Sequence, residues 1–100
     1  MSESTFVGYD VHGPVRLRIL ADRLEIDRAR SNEHTEVVSI SFEELEWVEV
    51  TGPTHGATSG LALILHNNHS IAIPGLDRMD ARIAYEALME AAKITGRWGY

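Results

Sequence analysis

The 100-residue chain contains no cysteine and only one lysine, Lys93. The first absence excludes disulfides and thiolate chemistry, and it gives no hint of an oxidising compartment. The second goes with a net charge of −6. That balance argues against general nucleic-acid binding, which rests on neutralising phosphates with basic side chains. It also disfavours electrostatic attachment to a membrane surface. No apolar run approaches the ~18–20 residues of a membrane span, and the opening MSESTF lacks the basic and apolar regions of a signal peptide. A cytoplasmic location is the expectation. No repeat, low-complexity stretch or linker divides the chain, so residues 1–100 read as one domain.

What the sequence does have is alternation. Val15, Leu17 and Ile19 alternate with Arg16 and Arg18, and Leu24 and Ile26 alternate with Arg23, Glu25 and Asp27. A period of two marks half-buried strands. Strands are expected over Thr5–Val11, Val15–Leu20, Arg23–Arg28, Glu36–Ser41, Leu45–Thr51, Leu61–Leu65 and Ser70–Ile73. ARSNEHT at 29–35 and GPTHGATSG at 52–60 read as loops, and Phe42-Glu43-Glu44 reads as a corner. In the fourth strand either Val38 and Ile40 or Val37 point inward. Beyond Pro74-Gly75 the period becomes helical: Met79, Ile83, Ala84, Ala87, Leu88, Ala91 and Ile94 share a stripe. Asp77 is placed to cap that helix, with Asp80 favouring its positive end, and Gly96 to stop it. The expected division is strands over 5–74, a helix over 77–95 and an aromatic tail over 96–100. Such a chain is α+β: about seven short antiparallel strands in a bent barrel or meander, covered by one C-terminal helix.

The hairpin VRLRILADRLEID, the segment VVSISFEELEWVEV, the hairpin LALILHNNHSIAI and the helix from Arg78 to Ile94 together resemble the pleckstrin-homology-like superfamily, most of all its small bacterial members. The resemblance covers nearly the whole chain and is one of pattern. The helix lacks the tryptophan common in eukaryotic members, since Trp98 lies beyond Gly96. What the resemblance implies is a domain that binds phosphoinositides, peptides or protein surfaces, and that is seldom an enzyme. The family's lipid site draws on lysines and arginines of the first hairpin, which only Arg16 and Arg18 match here.

HNNH at 66–69 invites a metal-site reading. A two-residue turn over Asn67-Asn68 would oppose His66 and His69. That register sends Leu61, Leu63 and Leu65 to one face and Ile71 and Ile73 to the other. An odd loop, pairing Leu65 with Ile71 and Leu63 with Ile73, brings all five to one face, and the hydrophobic pattern decides for it. The histidines are then not partners, and no metal site is assigned.

In a meander alternate loops emerge at one end. The resemblance implies that the connections after strands one, three and six, at 12–14, 29–35 and 66–69, share one end, a rim carrying His12, Arg28, Arg30, His34, His66 and His69, with Asn32, Asn67 and Asn68. Such a rim suits an anion, a lipid head group or a metal ion. Asp10, Glu33 and Glu36 nearby weaken the anion case. His55 belongs to the other end.

GPTHGATSG lacks the Gly-Lys-Ser/Thr ending of a phosphate loop, and no GxSxG, HExxH or paired-carboxylate motif occurs. Ser59, His55 and Asp77 are the residue types of a nucleophile–base–acid set, but nothing places them together. Neither catalysis nor a cofactor is therefore expected. Trp47, Trp98 and Tyr100 are the aromatic candidates for a partner surface. Leftover Ile64, Val37 or Val48 on outward faces would point to self-association. The expected role is a non-catalytic module binding a protein partner or itself, the alternative being a small-ligand binder at the histidine rim.

Overall fold

The computed structural model describes residues 3–31, 34–52 and 58–99; the side chains of Arg30, Ser31 and Trp98 are outside that description. Two four-stranded sheets face each other. The first is an antiparallel meander of β1 (Ser4–Asp10), β2 (Gly13–Ile19), β3 (Arg23–Ser31) and β4 (His34–Ser41), in that order. A one-turn 3-10 segment, Phe42–Glu44, carries the chain across to the second sheet. There β5 (Leu45–Thr51), β6 (Thr58–Leu65), β7 (Ser70–Asp77) and, after helix α1 (Arg78–Ala92), β8 (Thr95–Gly99) stand in the order β7-β6-β5-β8.

The alternation read from the sequence is what fills the interior. Val15, Leu17, Ile19, Leu24, Ile26 and Ile40 from the first sheet meet Val48, Val50, Leu61, Leu63 and Ile73 from the second. Arg18, on the opposite face of β2, reaches Glu25 at 3.4 Å and Asp27 at 3.3 Å, so the outer surface of this sheet is laced with charge. In β4 the inward residues are Val38 and Ile40, and Val37 turns outward.

At several positions the structure differs from the reading above. The loop expected at 29–35 shrinks to a short connection, because β3 runs on to Ser31 and β4 begins at His34, with a bulge between Ala29 and Ser31. Ladder pairing supports polar residues at a sheet end whatever their propensity. The HNNH hairpin has the expected odd parity, with Leu61, Leu63, Leu65 and Ile73 buried and Ile71 partly buried against the same core. Its register is two residues away from the expected one: Leu63 pairs with Ile71 and Leu61 with Ile73. The turn is closed tightly by Leu65 N–H donating to His69 O at 2.9 Å, with Asn68 at a φ of 67°. Asn tolerates that left-handed backbone better than most residues.

Asp77 caps α1, accepting from the Met79 N–H at 3.0 Å. The buried line of the helix is Ala81, Ala84 and Leu88, and the expected stripe members Met79 and Ile83 lie exposed. The helix ends at Lys93, which itself takes the left-handed conformation (φ 57°), rather than at Gly96. The expected tail is a strand: Thr95–Gly99 pairs in parallel with β5, making eight strands among the described residues. Gly96 is needed there for a different reason, since a Cβ at that position would strike the Tyr85 ring.

Candidate functional site: the open edge of the first sheet

The residues expected to share a ligand rim are distributed over separate parts of the molecule. His12 and His34 do lie at the same end of the first sheet, in the β1–β2 turn and at the start of β4, and both are exposed. His66 belongs elsewhere. Its backbone N–H donates to Glu44 O at 3.0 Å, and its ring Nδ1 lies 4.0 Å from the Glu46 carboxylate. It lines a groove of about 370 Å³ with Ser41 and Glu43, at the far end of β4. The length of β4 separates that end from His34, about 23 Å at ~3.3 Å per residue. Alternation holds across the Phe42–Glu44 corner: the loop after β6 emerges with the β2–β3 turn and the end of β4, so the expectation of a shared rim comes from the resemblance and not from the alternation of loops. His69 is exposed, its N–H bonded to Asn67 Oδ1 at 3.0 Å. Among the described residues no three His, Asp or Glu side chains gather as metal ligands.

Arg28 is engaged in the fold. Its register partners are Val15 and Glu36, which puts it on the core-facing side of β3, and its Nη2 donates to the backbone carbonyl of Ala72 at 2.7 Å. It thus clasps the first sheet to β7. The Arg30 side chain, His55, Asn32 and Glu33 lie outside the described residues.

Of the aromatic candidates, Trp47 is half-buried on the outer side of β5 and already has a cover. The Arg97 guanidinium lies 3.4 Å from its ring centroid, a cation–π stack. Trp98 pairs through its backbone with Val50, while its side chain and Tyr100 lie outside the described residues. Val48 is buried and Ile64 half-buried. Of the three apolar residues that would signal association, only Val37 stands in the open, 58% exposed.

Val37 directs attention to the sheet edges. Two sheets have four edge strands, β1, β4, β7 and β8. β1 and β7 shield each other: a Cβ on Gly8 would run into Pro74 O, and one on Gly75 would meet Tyr9 O at 2.5 Å. β8 is short and holds two glycines, Gly96 and Gly99, which weaken strand pairing. β4 is different. It spans eight residues, HTEVVSIS, with no proline and no lysine, and only Val38 and Ile40 are withdrawn from solvent. Among the described residues β3 is the only element packed extensively along it.

An uncovered strand presents a row of backbone N–H and C=O groups, a template for another chain. Natural edges are usually blunted by lysine, proline or a mid-strand bulge; here the bulge lies near the strand's start, opposite Ala29 and Ser31. On the outer face of β4 stand Thr35, Val37, Ser39 and Ser41, none of them charged. Beside its inner face opens a groove of about 390 Å³ lined by Ile26, Arg28, Glu36, Val38, Ser70 and Ile71. Sequence reasoning had left Val37 as an alternative inward residue. The signal available was the run TEVVSIS itself, strongly β-forming and carrying a single charge.

No protein-family model matches the chain, and no curated protein matches it. The functional reading therefore rests on the molecule's own geometry.

Proposed function

We propose that this chain is a non-catalytic interaction module of the pleckstrin-homology-like type that recognises another polypeptide, its own kind included, along the β4 edge. The strand order, the corner at Phe42–Glu44 and the helix after β7 support the family reading. The observation that carries the function is β4 itself: a long extended edge, uncovered among the described residues, with an exposed valine at its centre. Edge recognition takes affinity from main-chain hydrogen bonds and selectivity from alternate side chains. The histidine loops give a small-ligand role less support, because Arg28 is committed to Ala72 and His66 stands apart from His34.

The test is affinity capture from native-host lysate with the wild-type chain and with Val37→Lys, which places a charge on the exposed face of the edge. Proteins held by the wild type, copies of the chain among them, should be depleted on the variant. Equal recovery on both would overturn the reading.

A further inference from the structure

Resting on that reading, we infer that the β4 edge pairs with the β4 edge of a second copy of this chain, antiparallel across a two-fold axis, with Val37 facing the partner's Val37.

The register follows from symmetry and side-chain chemistry. A two-fold axis perpendicular to the sheet keeps outer faces together, and it sets one residue opposite its own counterpart. Three residues near the middle of β4 can occupy that position. Centring on Glu36 opposes two carboxylates at cross-strand distance, which is destabilising. Centring on Val38 uses a residue the chain already half-buries and leaves exposed Val37 facing a serine.

Centring on Val37 joins the two exposed valines and opposes no two like charges. Thr35 meets the partner's Ser39, a hydroxyl pair. Glu36 meets the partner's Val38, and His34 meets the partner's Ile40. No carboxylate in the strand meets another, even though each chain carries a net charge of −6. That self-complementarity is the argument for a second copy over a foreign strand. The result is one continuous eight-stranded sheet, β1 to β4 of one copy followed by β4 to β1 of the other. A single strand pair is a small interface, so the dimer is weak and forms with rising concentration.

The absence of cysteine makes the test clean. Antiparallel partners lie ~4.5–5.5 Å apart at Cα, within disulfide reach. Val37→Cys should therefore form a covalent dimer in oxidised glutathione about ten-fold faster than Ser39→Cys, which is also exposed but faces the partner's Thr35. Mixing Thr35→Cys with Ser39→Cys should give the heterodimer. Light scattering on the wild-type chain should show mass rising towards the dimer with concentration, and Val37→Lys, folded by circular dichroism, should stay monomeric. A wild type that remains monomeric up to millimolar concentration overturns the self-pairing, and the lysate capture then judges foreign partners separately. A dimer in which Val37→Cys couples no faster than Ser39→Cys overturns the β4 register while leaving self-association itself in place.

Discussion

The guanidinium of Arg28 donates a 2.7 Å hydrogen bond to the carbonyl of Ala72, tying the far end of β3 to the edge strand of the opposite sheet. A charged donor on a neutral acceptor is among the stronger contacts a partly exposed site can make.

Arg28→Ala should lower stability by about 1 kcal/mol. For a domain of this size that is a fall in melting temperature of roughly 4–8 °C. Thermal and urea unfolding measure it. Arg28→Lys should recover little, because a flexible point charge does not reproduce the planar fork. An unchanged urea midpoint for Arg28→Ala would show the clasp to be energetically idle.

Gly8→Ala and Gly60→Ala should differ in severity. At Gly8 the new methyl meets the Pro74 backbone carbonyl, which cannot move unless β1 and β7 part. At Gly60 it meets the Thr51 hydroxyl, which can rotate away. Overpacking costs ~1–3 kcal/mol, and Gly8→Ala should fall at the upper end or beyond, with Gly60→Ala well below it. Urea midpoints of the two variants check the order, and the reverse order would refute the close approach of β1 to β7.

The two ends of α1 give opposite predictions. Asp77→Ala removes the acceptor for the Met79 N–H and should destabilise by about 1 kcal/mol. Lys93→Gly replaces a residue held at φ 57° and ψ 46° by the one residue that visits that region without strain. It should stabilise by about 1 kcal/mol. Denaturant melts with unchanged slope would confirm both as native-state effects.

Deleting residues 95–100 should cost far more than trimming a loose tail. β8 covers one side of β5, and Gly96 lies against Tyr85. The shortened chain should show faster amide exchange along Trp47–Thr51 and a lower melting temperature. Exchange in β5 equal to that of the full chain would contradict the parallel pairing.

The strands were legible wherever one face is buried, because burial writes a period of two into residues 15–28 and 61–73. The helix and its Asp77 cap were legible for the same local reason. β8 was not. TGRWG has no alternation, and its pairing joins Thr95 to Trp47, nearly half the chain away. The hairpin shows the limit most sharply. Hydrophobic pattern fixed which residues share a face, but a shift of two leaves every face unchanged, so the pattern could not choose between registers. At the candidate site Arg28 reads as a free cation in sequence, since only the second sheet supplies Ala72. The β4 edge was hidden because strand order, which decides what lies beside a strand, is absent from any local window.

Order of synthesis gives β8 a further significance. Its partner β5 is made long before it, so a nascent chain emerges with one hydrogen-bonding edge of β5 as bare as that of β4. Only when Thr95–Gly99 arrives does one of those two adhesive flanks close. Pausing, premature termination or a cleavage just ahead of Thr95 thus leaves a chain with two uncovered strand borders in place of one, and each such border is a template on which another strand can add.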